Sequence, residues 1–178
     1  MVTIVQKDDP VLRGIAQTVP KELFGTPKLK KILRDMSTAL ASQNDGVAIA
    51  APQIGVPLRI FLVSGKIIEL LYPDKASSTT KTPKDIVFIN PKIVRLSKNR
   101  EVVEEGCLSV RYLYGTIERA KKARVRAQDE KGVTFELGGS GLLAQIFQHE
   151  TDHLDGILFI DKADNLRDMP PQDSKSEK

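Results

Sequence analysis

The chain has 178 residues, and 27 Lys+Arg against 23 Asp+Glu leave a formal charge of +4. That length suits one domain with a core of its own, and 40% hydrophobic with 28% charged residues excludes a wholly disordered chain. No stretch approaches the roughly 18–20 consecutive apolar residues that span a bilayer, so no membrane association is expected.

The first residues, MVTIVQKDDPVLRG, lack the basic and apolar regions of a signal peptide. With a single cysteine, Cys107, and hence no intrachain disulfide, a reducing, cytoplasmic location is expected. An organellar location is expected only if a presequence has been removed. The basic residues are scattered along the sequence, and direct nucleic-acid recognition is not expected from charge alone.

After an extended, turn-rich opening, Thr26-Pro27 reads as an N-cap followed by proline at the first helical position. Leu29, Ile32, Leu33, Met36 and Leu40 then follow at helical spacing, and Asn44-Asp45-Gly46 ends the pattern. Leu58–Val63 reads as a strand. Ser64–Asp85, with Gly65, Pro73 and Pro83, reads as a long surface excursion, a hairpin or lid around the apolar stretch Ile67–Tyr72.

Ile86–Val94, Glu101–Cys107, Thr116–Arg119, Ala123–Asp129 and Val133–Leu137 are short, β-branched and separated by turn signals, which predicts antiparallel strands. Gly138-Gly139-Ser140 is expected to open a second helix with Ser140 as its cap, and Asp155-Gly156 to close it. Ile157–Ile160 reads as a last short strand. The expected class is α+β: antiparallel sheets packed around this central second helix in one domain, residues 1–163. Residues 164–178 are polar and are expected to form a disordered tail.

The second helix contains His149-Glu150-Thr151-Asp152-His153, and these two histidines are the only ones in the chain. Residues four apart differ by about 40° around a helix and lie one turn apart, so both imidazoles can reach one ion. Glu150 can then sit beside a water on that ion without ligating it, which is the spacing of a helical metallohydrolase motif. Two surface histidines at helical spacing are the plain alternative.

A catalytic tetrahedral site needs a third protein ligand and one open position. Cys107 is the sole soft candidate. The alternatives to a ligand are a small buried hydrophobe and a thiolate nucleophile paired with a histidine. A third segment, Gly46-Val47-Ala48-Ile49-Ala50-Ala51-Pro52-Gln53, is rich in small residues that let backbone pass close to a ligand.

Taken together and in this order, Gly46–Gln53, Glu105–Ser109 and His149–His153 resemble the three motifs of the peptide deformylase family. The resemblance covers about residues 3–162. It implies removal of the formyl group from the N-terminal formyl-methionine of new polypeptides, with release of formate. It implies that Cys107, His149 and His153 bind one divalent ion, Fe²⁺ in the cell, with Zn²⁺, Ni²⁺ or Co²⁺ also accepted. Water on the metal is then the nucleophile, and Glu150 the general base and later general acid.

The resemblance further implies that the Gln53 amide and the Leu108 N–H stabilise the oxyanion. Backbone near Gly46, Val47, Ala48 and Gly106 is expected to bind the peptide, with Ile146 walling the methionine pocket. Glu105 is expected to support a ligating histidine, with Arg119 as its ion-pair partner, and Asp152 is either part of that support or a plain surface carboxylate.

Ala48 stands where the motif usually carries a second glycine, and Gln145 where a residue near the methionine pocket is commonly apolar. Some bacterial members look as if they dock on the ribosome through a C-terminal helix. The tail here lacks a strong basic amphipathic pattern, so ribosome contact is retained only as a candidate partner interaction.

Overall fold

A computed structural model describes residues 2–71 and 84–170. Among these residues, eight strands form two antiparallel sheets. The larger, in the order β1-β2-β3-β6-β7, is built from β1 (Ala48–Ala50), β2 (Ile60–Val63), β3 (Ile86–Leu96), β6 (Lys122–Gln128) and β7 (Thr134–Ser140). The smaller joins β4 (Arg100–Gly106), β5 (Leu113–Ala120) and β8 (Asp164–Asp168) in the order β4-β5-β8. Three α-helices accompany them: α1 (Pro27–Ala41), α2 (Gly65–Leu71) and α3 (Leu142–Leu154).

Strand alternation feeds two cores from one sheet. Phe61 and Val63 of β2 and Phe88 of β3 turn toward α3, where Leu143, Ala144, Ile146, Phe147 and Leu154 meet them. Phe61 and Phe88 stack with centroids 4.5 Å apart. Ile60, Leu62 and Ile89 turn to the other face, where Leu29, Leu33, Met36 and Leu40 of α1 cover them. Each such fully buried side chain contributes about 1.5–3 kcal/mol, so both helices are clamped to the sheet. As expected, Thr26 caps α1, its hydroxyl accepting from the Leu29 N–H at 3.3 Å.

The structure departs from the sequence expectation at four places. Gly138, Gly139 and Ser140 do not open a helix. They complete β7, opposite Arg124, Ala123 and Lys122, and α3 begins only after Gly141, whose φ of 54° makes the corner. A Cβ on Gly139 would fall 2.6 Å from Leu143 Cγ, so glycine lets the helix start close against the strand it leaves.

In place of the last strand at Ile157–Ile160, a 3₁₀ turn spans Phe159–Asp161, held by the Asp161 carboxylate accepting from the Leu158 N–H at 2.9 Å. The apolar stretch from Ile67 lies in α2, not in a hairpin; the rest of that excursion, 72–83, lies outside the described residues. Finally, Asp164–Asp168 form β8 against β5, with Leu113 opposite Asp168 and Thr116 opposite Asp164. Backbone pairing needs no apolar side chains, which is why a fully exposed pattern, polar except for Leu166, hid this strand. Positions 171–178 of the expected tail lie outside the described residues.

Candidate active site

α3 carries the centre of the site. One turn separates His149 from His153, and Ile146 precedes His149 by a further turn on the same side. β4 approaches with an alternating pattern whose one fully inward polar residue is Glu105, and Cys107 follows immediately beyond the strand. Between β1 and β2, a 3₁₀ turn at Ala51–Ile54 carries Gln53.

Three elements therefore converge. Cys107, His149 and His153 bring one ligand atom each to within 4.8 Å of the others, and Cys107 Sγ lies 3.2 Å from His153 Nε2. The Glu105 carboxylate lies 2.9 Å from Nδ1 of His149, leaving Nε2 as the free ring nitrogen. Arg119 on β5 donates to Glu105 from Nε at 2.8 Å and from a terminal nitrogen at 3.0 Å. Its other terminal nitrogen donates to Asp152 at 2.6 Å, and Lys162 Nζ donates to the second Asp152 oxygen at 2.9 Å. Asp152 is thus part of the network, where the sequence left its role open.

The electrostatics follow from this packing. Burial opposes ionisation of Glu105, but hydrogen bonds from His149 and Arg119 outweigh it and bring its carboxyl down to about 2. Burial likewise disfavours a charge on His149. Its contacts with Cys107 and Glu105 reverse that and raise its basicity well above the ordinary range. His153 is pushed the other way by burial, reinforced by the neighbouring His149.

Glu150 is pushed up to about 7, chiefly by burial, with His149 opposing and Glu105 assisting. One of its carboxylate oxygens is buried without a hydrogen-bond partner among the described residues.

These residues fit a divalent cation. One sulfur and two imidazole nitrogens form a donor set used by zinc and ferrous iron, and the Glu105 carboxylate on Nδ1 of His149 is typical of a metal-bound histidine. Three protein donors also leave one position open.

A cleft of about 260 Å³ opens over the centre and is lined by Val47, Ala48, Gln53, Glu105, Gly106, Cys107, Leu108, Ile146, His149 and Glu150. Gln53 is held rigidly. Its Oε1 accepts from the Ala50 N–H at 2.8 Å, and its Nε2 donates to Ser109 Oγ at 3.1 Å and faces Cys107 Sγ at 3.5 Å.

Gly46 does not line the cleft among the described residues. A Cβ there would sit 2.9 Å from Leu40 Cδ1, so this glycine serves the tight turn after α1. Gln145 lines the cleft and is anchored by donating to the Glu104 carbonyl at 2.8 Å.

The lining residues Val110–Tyr114 escaped the sequence reading, and two of them matter most. Tyr114 lies opposite Gly106 in the β4–β5 register and covers it so closely that a Cβ on Gly106 would fall 2.5 Å from the ring. Arg111 forms a two-pronged pair with Asp45 at 2.6 and 3.0 Å at the cleft rim. Both depend on register and loop placement, for which the sequence carries no local signal.

An α+β fold that places a thiol, two imidazoles and an unpartnered buried carboxylate in one cleft has the layout of a metal-dependent hydrolase. The family model for polypeptide deformylase matches residues 1–169. A peptide deformylase of Mesorhizobium japonicum is 42% identical over 164 residues, covering 90% of this chain and 84% of that protein. Peptide deformylase 1A of Solanum lycopersicum chloroplasts is 36% identical over 165 residues, which are 91% of this chain and 59% of that longer protein.

Among solved structures, the Met-Ala-Ser-bound class I type b peptide deformylase of Acinetobacter baumannii superposes with a TM-score of 0.77 at 31% identity, over 90% of this chain and 97% of that one. The chain belongs to the polypeptide deformylase family. It is a single-domain, metal-dependent enzyme that removes N-formyl groups. No helix among the described residues is long and apolar enough to cross a membrane.

Proposed function

We propose that the chain hydrolyses the formyl amide of N-terminal formyl-methionine on newly made polypeptides, giving formate and a free amine. The observation that carries this reading is the Cys107, His149 and His153 triangle with an unpartnered Glu150 oxygen, of which Cys107, His149 and Glu150 line the cleft. Cys107, His149 and His153 hold the ion, which is Fe²⁺ in the cell, with Zn²⁺, Ni²⁺ and Co²⁺ as working substitutes. When bound, that ion supplies Lewis acidity and an activated water.

Glu150 takes the proton of the attacking water and returns it to the leaving nitrogen. A carboxyl poised near neutrality by burial suits both transfers. The negative oxygen that develops at the formyl carbon accepts from Gln53 Nε2 and the Leu108 N–H. Gln53 is held in place before substrate arrives, so little reorganisation is needed. Arg119 holds Glu105, and Glu105 orients His149.

The peptide lies extended between the backbone at Val47-Ala48 and Gly106, with its methionine side chain against Ile146. Gly46 contributes by shaping that entry, not by touching the peptide. The enzyme works in the cytoplasm on nascent chains, with transient ribosome contact bringing it to them.

Anaerobic metal analysis coupled to formate release from formyl-Met peptides tests the reading. Stoichiometric iron with formate release is expected. Internal peptide cleavage without formate, or full activity after complete metal removal, would overturn it.

A further inference from the structure

The sheet face opposite α3 changes character along its width. Over β1, β2 and the start of β3 it is apolar and covered by α1 through Ile49, Ile60, Leu62 and Ile89. Beyond Ile89 it is exposed and basic. Ala123, Val125 and Ala127 of β6 face the α3 core, so Lys122, Arg124 and Arg126 stand on the opposite side.

The register brings further cations to them: Lys92 of β3 lies opposite Arg126, and Arg95 opposite Arg124. Residues directly opposite in an antiparallel pair share a face, and like charges there cost stability. Two adjacent like-charge registers are therefore an arrangement that folding alone disfavours. On the far side of β6, Arg124 faces Gly138, Lys122 faces Ser140, and Arg126 faces Glu136.

Glu136 is the lone carboxylate in this block. It lies 2.7 Å from Arg126 and 3.7 Å from Arg124, whose side chains remain 59% and 51% exposed. Among the described residues neither Lys92 nor Arg95 has an ion-pair partner.

Among the described residues the face carries no aromatic side chain, because Phe88 and Phe135 turn to the α3 side. It thus lacks the aromatic anchors that dominate protein interfaces, and its exposed apolar side chains on β3 are confined to Val94 and Leu96, 37% and 42% exposed, too few to enter a lipid surface. A repulsive, guanidinium-rich surface matches a partner recognised by repeated negative charge.

We infer that the outer face of β3, β6 and β7, centred on Lys92, Arg95, Lys122, Arg124 and Arg126, docks the phosphate backbone of RNA. It does so without base recognition, since the contacts are charge pairs to phosphate. The surface lies outside the catalytic cleft, and the inference does not depend on the roles given to the cleft residues.

The test is fluorescence anisotropy of a labelled oligouridine RNA with the intact chain at two salt concentrations. Binding is expected to weaken with salt. In the Lys92→Gln, Arg95→Gln double variant the affinity should fall roughly tenfold or more at low salt. Its log–log salt slope should be shallower by about 1.4, near 0.7 for each cation lost on a single strand. Glu136→Gln should tighten binding. Deformylation of a short formylated peptide should be unchanged in both variants.

The thermal midpoint of the double variant should hold or rise, because it relieves two like-charge registers. Undetectable RNA binding, unchanged affinity in the double variant, or equal binding to polyglutamate or phosphatidylserine vesicles would overturn the inference.

Discussion

The Glu105 carboxylate sits 2.9 Å from Nδ1 of His149 while accepting two hydrogen bonds from Arg119. Arg119 and Glu105 are both almost wholly buried, at 5% and 4% exposure. Removing one member of such a pair leaves an uncompensated charge out of water. Arg119→Met should therefore cost about 3–5 kcal/mol of stability in denaturant unfolding. Glu105→Gln should weaken metal binding by about 10–100-fold in chelator competition, because the neutral amide that replaces the carboxylate is a weaker acceptor for the His149 ring N–H. An Arg119→Met protein as stable as the parent would show that this network carries no stabilising weight.

Glu150→Gln preserves shape and removes the proton acceptor. Formate release should fall by about 10²–10⁴, while metal content stays at the parent level because Glu150 is outside the Cys107, His149 and His153 triangle. Parent-like turnover in a metal-replete Glu150→Gln protein would refute its role as base.

Gly106→Ala places a methyl where the Tyr114 ring already lies, with Cε1 at 2.5 Å and Cδ1 at 2.7 Å. Overpacking of this kind typically costs about 1–3 kcal/mol, and the displaced ring narrows the cleft it lines. The expected result is a lower thermal midpoint and a raised KM. Adding Tyr114→Ala should recover the midpoint, and a double-mutant cycle without coupling would disprove the contact.

Asp161 links the C-terminal turn to the N-terminal segment, pairing with Arg13 at 2.6 Å. Burial opposes its charge, but hydrogen bonds from Arg13 and the Leu158 N–H prevail, holding its carboxyl below the ordinary 3.8. A depressed folded value means the stabilisation is fully present above that ordinary value and disappears as pH falls through the folded one. Asp161→Asn keeps an oxygen for Leu158 but loses the ion pair, which is partly exposed and so worth under about 1 kcal/mol. Unfolding curves should separate at pH 7 and converge in acid. A gap that persists in strong acid would contradict the ion-pair origin.

Much of this molecule was legible before folding because local rules carry it. Thr26-Pro27 and the Leu29–Leu40 stripe predict α1, and β-branched runs between turn residues predict most strands. The HExxH spacing puts His149, Glu150 and His153 on one helix, where short-range geometry alone decides their neighbours. The misreadings fall where local and long-range signals diverge. Gly138-Gly139-Ser140 has the composition of a helix opening, yet pairing with β6 draws it into β7. Asp164–Asp168 has no apolar alternation, yet the β5 edge supplies backbone partners.

The sequence by itself determined the metal-capable inventory, one cysteine and two histidines, and through motif order the chemistry to expect of them. Only the tertiary structure decided what surrounds them. It buries Glu105 and Arg119 together, joins Asp152 and Lys162 to that pair, and lays Tyr114 over Gly106. It also turned a mild, scattered +4 charge into a basic sheet face. The reason is the same in each case: strand register and helix docking bring together residues far apart in the chain, and nothing local in the sequence encodes which ones meet.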